Sequence, residues 1–315
     1  MKIIGTATRS LPLALGLSRA LLARAEAEGV AWMAASVIQG PAVVLGAAQR
    51  AGRVLDLEAC ASAGVPVWRR ATSGAAVHVA EHAIVWALAL PHVASLAADA
   101  TARTLINRNV RGFLEGIRRA GAAAHYFGRD HVSVQKRPAA LIGFEESERG
   151  AVLLEVLAGF EASFALPTAL IGEEERALDR YAGKAPLGLG EVMKKPVEVV
   201  AREVMNAVAE RDSMPASEAR DPDAEVMSEV TGADDPLPSG FTVGPRRRVP
   251  IGWIDTGFDP RSGRAWLGGD VLAPAHVLRA VAAGEALSRE APIEGATLAD
   301  LVEAARALGA TSPAR

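Results

Sequence analysis

The sequence has a single cysteine and lacks several patterns that would classify it at once. One cysteine, Cys60, excludes an intrachain disulfide and favours a reducing compartment. The apolar stretch from Leu11 to Leu22 is interrupted by Arg19, which is not the pattern of a signal peptide. No other segment reaches membrane-spanning length without charged residues. We therefore expect a cytoplasmic protein with no membrane partner.

The chain also lacks an excess of basic charge. Its 34 lysines and arginines are set against 37 aspartates and glutamates, a formal net charge of -3. The short arginine clusters at 69–70 and 246–248 are too small to form a nucleic-acid-binding surface. Glycine-rich phosphate loops of the Walker or dinucleotide-binding kind are absent. We expect no nucleic-acid partner.

What the sequence does contain is enough apolar residues for a large core. Its 315 residues are 50% hydrophobic and 23% charged, which is ample for two domains. Apolar residues at helical spacing predict helices over 10–29, 97–120 and 196–210. Short apolar runs predict strands at 42–45, 65–68, 83–90, 139–144 and 152–157. The expected fold class is α/β (α+β), a mixed β-sheet flanked by helices.

The last third of the chain differs in composition. Residues 211–240 are rich in Asp, Glu, Ser and Pro and predict a linker. A hairpin around 259–263 and helices over 275–283 and 298–308 follow it. We expect a large domain over 1–210, the linker over 211–240 and a small α+β accessory domain over 241–315.

A small-residue loop behind two arginines is the strongest functional signal. Arg69 and Arg70 follow the predicted strand 65–68, and the run 72–76 offers little side-chain bulk before the next strand begins at Val77. Exposed backbone amides and arginine forks suit a carboxylate or phosphate, here one attached to an apolar tail. The alternative is a tight hairpin with two solvated arginines.

These segments resemble the lipoate-protein ligase and octanoyltransferase family, which shares the biotinyl/lipoyl protein ligase catalytic domain. That family has a PxVVxG strand with a nearby Gln, matched here by 41–46 and Gln49, and an RRxTGGGAVYHD loop, matched by 69–78. The turn at 128–130 resembles its GRND, Gly143 its KxxG glycine, and 266–270 the GDF of its accessory domain.

The chain departs from the family pattern at the loop and at the catalytic lysine. Ser73 and Ala75 replace two of the loop glycines, which adds side chains where close approach is wanted. The family lysine stands about three residues before the KxxG glycine, whereas Lys136 stands seven before Gly143. Either a loop insertion delivers Lys136 to the site or the catalytic lysine is absent.

The resemblance implies a fold of the biotin/lipoate ligase type and a reaction. Lipoate would be activated by ATP, with Mg²⁺, to lipoyl-adenylate, and the lipoyl group would pass to a lysine of a lipoyl-domain acceptor protein. Lys136 would be catalytic, and no metal ligand is implied. The implied substrate-binding residues are Arg69, Arg70, Thr72, Ser73, Gly74, Ala75, Ala76, His78, Gly128, Arg129, Asp130 and Gly143.

Three other functions are weighed against this one. A non-catalytic acyl- or nucleotide-binding protein on the same fold would explain the altered glycines and the displaced lysine. An octanoyltransferase that uses a cysteine is disfavoured, because residues 120–190 contain none. A biotin ligase is disfavoured, because its GRGRxGR loop is absent.

The remaining reactive side chains favour structural interpretations. Cys60 is expected in a short helix as a small apolar residue. His78 and His82, four apart in an extended segment, are too far apart to bind one metal ion easily. The charged run 145–149 predicts a hairpin tip that faces water. Trp32, Trp68 and Trp86 fit either a wall around an acyl tail or the core.

Overall fold

The large domain is built on an eight-stranded mixed sheet. The computed structural model describes residues 1–211, 216–220, 222, 227, 235–287 and 290–310. Along the sheet the strand order is β11-β1-β2-β6-β10-β9-β8-β7, in which β11, β1 and β2 run parallel and the remaining neighbours antiparallel. The strands are β1 (Lys2–Arg9), β2 (Trp32–Ile38), β6 (Ala83–Leu90), β7 (Ala124–Tyr126), β8 (His131–Val134), β9 (Arg137–Glu146), β10 (Val152–Ala158) and β11 (Ser217–Glu218).

Helices cover both faces of this sheet, which explains why its central strands are continuously apolar. All eight residues of β6 and all seven of β10 are buried. One face packs against α1, and the other against α5 and α7. The helices of the large domain are α1 (Leu11–Glu28), α2 (Ala51–Val54), α3 (Leu57–Ser62), α4 (Leu105–Asn109), α5 (Arg111–Ala120), α6 (Glu173–Arg176) and α7 (Val197–Arg211).

Local sequence explains where these helices begin and end. Helix α1 has a proline in its first turn and ends at Gly29, whose φ of 65° is the left-handed conformation that favours glycine. Helix α3 is capped by Asp56, whose side chain accepts from the Ala59 amide at 2.9 Å. A Cβ at Gly116 would lie 2.4 Å from the Cα of Val204, so this glycine lets α5 pack closely against α7.

The helix predicted over 97–120 is shorter and divided. Thr101 closes a capping box with Thr104, and regular helix starts only at Leu105. The chain then passes from α4 to α5 at Val110. The other predicted helices and strands of the large domain are present, with ends shifted by no more than three residues.

A second, three-stranded sheet lies over the α1 face of the large sheet. Its order is β4-β3-β5, from β4 (Val67–Arg69), β3 (Ala42–Leu45) and β5 (Val77–Val79). Apolar side chains of β3 and β5 share a core cluster with Leu141 of β9 and Leu157 of β10. The small-residue loop 70–76 therefore connects two strands of a sheet that packs on the main one.

The C-terminal part forms a small α+β unit, as expected. Strand β14 (Gly252–Phe258) pairs on one side with β12 (Thr242–Val243) and β13 (Arg247–Val249), and on the other with β15 (Ala265–Gly269). Helices α8 (Ala275–Ala282) and α9 (Leu298–Ala310) follow. The predicted linker 211–240 lies largely outside the described residues, so the domain boundaries stay a prediction.

Candidate functional site

The small-residue loop is anchored to the large sheet through Gly143. This glycine lies directly opposite Glu155 of β10 in the strand register. The hydroxyl of Thr72 lies above Gly143 and donates to Oε2 of Glu155. A Cβ at Gly143 would lie 2.5 Å from Thr72 Oγ1 and 2.9 Å from the Ser73 carbonyl oxygen. Only glycine at position 143 lets the loop approach the strand this closely.

Arg70 is buried beneath the loop, with 1% of its surface exposed. Its Nε donates to Thr72 Oγ1 at 2.9 Å, and its Nη2 donates to the carbonyls of Ser73 and Ala75 at 3.0 and 2.9 Å. Burial lowers the pKa of Arg70 to about 10, although Glu155 opposes this shift. Arg70 is therefore charged at neutral pH and holds the loop carbonyls in place.

Arg69 also binds backbone. Its Nη1 donates to the carbonyls of Gly46, at 3.0 Å, and Gln49, at 2.6 Å, in the turn after β3. The two arginines were predicted to bind a ligand anion, and the hydrogen bonds described here go to backbone carbonyl oxygens and, from Arg70, to the Thr72 hydroxyl. Nη1 of Arg70 has no hydrogen-bond partner among the described residues.

The loop is covered rather than open, which corrects the expectation of exposed backbone amides. Thr72, Ser73 and Ala75 are no more than 1% exposed. The Ser73 amide and hydroxyl both donate to the Phe144 carbonyl, at 2.9 and 2.7 Å. Over Gly74, which has a φ of 102°, lies the side chain of Leu272 from the small domain. The small domain is thus part of the loop's surroundings.

The segment 266–270 fixes the small domain to the large one. Gly269 donates from its amide to the Ala48 carbonyl at 2.9 Å, and a Cβ at Gly268 would lie 2.4 Å from that oxygen. Asp270 is fully buried and accepts from Gln49 Nε2 at 2.5 Å and from Arg180 Nη2 at 2.9 Å. The PxVVxG turn and the GDF-like strand therefore meet at one buried hydrogen-bonded contact.

A second set of buried charges extends this contact. Arg180 also pairs with Glu175, and Arg246 donates to Asp255 at 2.7 Å. Glu175 and Arg246 lie 3.9 Å apart. Burial is the main reason that the pKa values of Glu175 and Asp255 are raised. Since each charge has a partner of opposite sign, removing one member would leave a buried charge uncompensated.

A cavity of about 800 Å³ lies where these segments meet, and we call it the junction cavity. One wall is Ala47, Ala48 and Ser73 from the two loop segments, and Glu145 at the end of β9 forms part of another. The end of the predicted linker and the small domain supply the rest. The main lining residues from these two segments are Pro236, Pro238, Phe241, Arg264, Trp266, Leu267, Leu278 and Arg279.

Glu145 is the acidic group of the junction cavity. Its Oε1 accepts from the amides of Ala275, at 3.0 Å, and Glu146, at 3.2 Å, while its Oε2 is buried without a hydrogen-bond partner. Burial raises the pKa of Glu145 to about 7, against the lowering effect of those amides. The prediction that the run 145–149 faces water is wrong for Glu145 and Glu146, because α8 packs on them. It holds for Glu148 and Arg149.

A smaller cavity of about 370 Å³ opens on the other side of the loop. Ala76 lines it, together with Arg180, Tyr181 and Lys184 from the segment after α6. The loop therefore separates two cavities, with Ser73 lining the larger and Ala76 the smaller.

The predicted residues outside the loop are scattered. Arg129 donates to the Pro250 carbonyl at 3.1 Å, and buried Asp130 contacts His131 at 2.9 Å, so the 128–130 turn supports the domain junction. His78 lies on β5 opposite Val43, where burial lowers its pKa. None of these residues lines either cavity.

Lys136 is remote from the loop. It lies with Gln135 in the two-residue turn between β8 and β9, and both residues have positive φ. A strand rises about 3.3 Å per residue, so the six steps from Arg137 to Gly143 place the turn about 20 Å from the loop. The residue three before Gly143 is Ala140, which is fully buried. The structure thus does not bring a lysine to the position that the family pattern requires.

Sequence reasoning missed the charged side chains of the junction cavity. Glu145, Arg264 and Arg279 carried no motif, and their proximity depends on how the small domain docks. The tryptophan that lines the cavity is Trp266, whereas Trp86 is a core residue that donates to the Ala201 carbonyl at 3.0 Å. Within the described residues there is no cluster of His, Cys, Asp or Glu able to hold a metal ion.

Residues 12–154 match the family model of the lipoyl protein ligase A/B catalytic domain. This stretch is somewhat less than half of the 315-residue chain, and over it the chain is similar to that family as a divergent sequence. A search of curated proteins found no match. The matched range holds the PxVVxG strand, the 69–78 loop and Gly143, so the lipoyl ligase motifs and the fold agree on the same part of the molecule.

Solved structures of lipoate-protein ligases share the fold. A bipartite lipoate-protein ligase from Thermoplasma acidophilum, described with its E2 lipoyl domain, is 15% identical, with a TM-score of 0.57 over 71% of this chain and 89% of that one. LipL1 from P. falciparum, in complex with lipoate, is 10% identical, with a TM-score of 0.60 over 82% and 80%. Lipoate-protein ligase A bound with ATP is 13% identical, with a TM-score of 0.57 over 70% and 89%.

No helix among the described residues has the length and apolar character needed to cross a membrane.

Proposed function

We propose that the chain is an ATP-dependent acyltransferase of the lipoate-ligase type, which activates lipoate to lipoyl-adenylate and transfers the lipoyl group to a lysine of a lipoyl domain. The observation that carries this proposal is the junction cavity. It brings together the PxVVxG turn, the 69–78 loop and the GDF-like strand, three motif segments far apart in the sequence. In this proposal residues 1–210 are the catalytic domain and 241–315 the accessory domain.

The composition of the junction cavity suits an acyl-adenylate. Phe241, Trp266 and Leu278 give it apolar walls, and its volume lies in the range of pockets that enclose a ligand of this size. Arg264 and Arg279 line it as well; they are exposed, pair with Asp259 at 3.7 Å and Glu148 at 2.9 Å, and would turn to an anionic ligand. Relatives described with lipoate, with ATP and with a lipoyl domain support the same set of substrates.

The proposed reaction has two steps. The lipoate carboxylate attacks the α-phosphate of ATP and pyrophosphate leaves; the acceptor amine then attacks the acyl carbonyl and AMP leaves. Neither step requires a covalent enzyme intermediate. Residues of this chain would therefore act by holding the reactants in position and by stabilising the charge that develops on them. Arg264 and Arg279 would stabilise the phosphate charge, and Ser73 would border the site. ATP would enter as its magnesium complex, with the ion held mainly by the phosphates.

One observation favours a second function, binding without transfer. The described residues place Ala140 where the family lysine is expected, and no lysine lines the junction cavity. A protein of this kind would hold an acyl group or a nucleotide without activating it.

A single assay separates the two functions. The full chain would be incubated with lipoate, magnesium-ATP and a lipoyl domain, and both pyrophosphate release and the intact mass of the acceptor would be followed. We expect pyrophosphate and one lipoyl mass increment, both reduced at least tenfold in Arg279→Gln. Arg149→Gln, which removes an exposed arginine outside the cavity, is the control. Binding of lipoate or ATP with neither product would support the binding function instead.

A further inference from the structure

A second cavity, of about 630 Å³, adjoins the junction cavity inside the small domain, and we call it the distal cavity. It lies between the β14–β15 turn, the end of α8 and one side of α9. The residues that line both cavities are Gly263, Ala265, Ala282 and Ala283. The two cavities therefore adjoin, and the residues that line both of them have no side chain larger than a methyl group.

The distal cavity is lined chiefly by apolar side chains. Phe258, Leu287, Val302 and Leu308 contribute to its walls, and charged groups such as Arg306 are a minority. Leu298 also lines it and is 43% exposed, one of few large apolar side chains that remain exposed in the described part of the chain. Exposed apolar surface at a concave site is where apolar ligand surface is buried most favourably.

The volume of the junction cavity is sufficient for a short acyl group but not for a long one. At about 800 Å³ the junction cavity alone is in the range that encloses a whole small ligand, so an eight-carbon acyl group with its activated head leaves the distal cavity empty. A longer chain would continue past these small side chains and bury additional methylenes beside α9.

We propose that the junction and distal cavities form one acyl channel, and that the site therefore also takes straight-chain acyl groups longer than the eight carbons of the lipoyl group. The head of the acyl group lies in the junction cavity near Ser73 and Arg279, and its tail passes Ala283 toward Val302. This inference rests on the proposed function for the chemistry at the head, and it adds longer straight-chain acyl groups to the substrates of the same site.

The test is a chain-length series of saturated fatty acids from 6 to 16 carbons, titrated into the full chain. Tryptophan fluorescence reports binding, because Trp266 lines the junction cavity. Burial of each methylene gives about fourfold in affinity. We expect affinity to keep rising beyond eight carbons in the native sequence and to level off near eight in Ala283→Phe. Ala283 is exposed with a φ of -77°, so its backbone accepts phenylalanine.

Two further variants complete the experiment: one blocks the distal cavity from another helix, and one is the control. Ala305→Phe fills the distal cavity from α9 and should also stop the rise near eight carbons. Ala280→Phe lies on the same helix as Ala282 and lines neither cavity, so it should keep the native chain-length dependence. The proposal is overturned if no fatty acid binds, if the native affinity already levels off at eight carbons, or if Ala283→Phe and Ala305→Phe leave the dependence unchanged.

Failure of the two proposals is distinguishable. If chain-length-dependent binding is found but no acid of any length releases pyrophosphate from ATP, the proposed transferase function fails and the acyl channel stands. If lipoate is activated but affinity does not rise beyond eight carbons, the channel proposal fails and the transferase function stands.

Discussion

The two ends of strand β9 differ in a way that reverses what their sequences indicate. At its N-terminal end Lys136 has the chemistry expected of a catalytic residue, yet it lies in a two-residue turn with positive φ, about 20 Å from the loop. At its C-terminal end the charged run 145–149 has the composition of a solvated turn. There, however, Glu145 lines the junction cavity and accepts hydrogen bonds at the start of α8.

Residue type indicates which chemistry a side chain can perform, whereas strand register decides where in the fold that side chain lies. Gly143 is opposite Glu155, and this register places the loop over the C-terminal half of β9. The junction cavity therefore forms at that half, whatever residues occupy the turn at the other.

The largest effect is expected from Gly143→Val. A side chain there meets Thr72 Oγ1, the Ser73 carbonyl and Arg70 Nε, at 2.5, 2.9 and 3.0 Å from the ideal Cβ. Overpacking of this kind should lower the free energy of unfolding by about 3 kcal/mol, measured by chemical denaturation. Gly5→Val is the matched control in β1, because a Cβ at Gly5 has no neighbour within 4 Å. Equal losses in the two variants would contradict the role assigned to Gly143.

A smaller, pH-dependent effect is expected from Glu145→Gln. The folded state raises the pKa of Glu145 to about 7, so folding favours its protonated form. The contribution of Glu145 to the free energy of unfolding is fully present below the pKa that this group has in the unfolded chain, and it is lost as the pH rises toward 7. Glutamine removes the buried charge, and the variant should gain up to about 2 kcal/mol over the native protein at pH 8 and little at pH 4.5.

The comparison between variant and native protein at each pH isolates Glu145 from other titrating groups. Glu146 and Arg279 face Glu145 and are unchanged in both proteins. Arg149→Gln, an exposed substitution in the same turn that removes no carboxyl group, is the control and should change stability by the same amount at the two pH values. A gain for Glu145→Gln that is as large at pH 4.5 as at pH 8 would show that the carboxylate is not the cause.

The smallest effect is expected from Lys136→Gly. Glycine takes positive φ without strain and is favoured in two-residue hairpin turns, so stability should rise by up to about 1 kcal/mol. The variant removes the ammonium group without disturbing the fold, and acyl transfer should continue at the native rate. A loss of transfer with unchanged stability would restore Lys136 as a catalytic residue and contradict the contrast between the two ends of β9.

The sequence predicts most of the fold because the central strands carry their own signal. Continuous apolar runs such as 83–90 are buried on both faces, and this pattern is visible without any tertiary information. The start of α4 was not predicted, because the pairing of Thr101 with Thr104 ends the irregular segment at a point that helical spacing does not mark. The motif at 69–78 indicated the family resemblance for a similar reason, because its residues are contiguous in the sequence and need no tertiary information to be recognised.

The cavity was predicted only in part, because its walls are distant in the sequence. Ser73 was named from the loop motif, whereas Glu145, Arg264 and Arg279 meet it only after the small domain docks. The hydrogen bonds of Arg69 and Arg70 were unpredictable for a related reason. An arginine fork binds carbonyl oxygens as readily as a ligand anion, and only the fold determines which lies within reach.

The buried contact among Gln49, Asp270 and Arg180 makes ligand binding and domain docking thermodynamically reciprocal. Neither domain encloses the junction cavity alone, so a ligand that binds only the docked form stabilises docking by an amount that grows with the logarithm of its concentration. Conversely, the apparent dissociation constant rises in inverse proportion to the fraction of molecules that are docked. A substitution at Asp270, which does not line the cavity, would therefore weaken ligand binding through the docking equilibrium and without any direct contact.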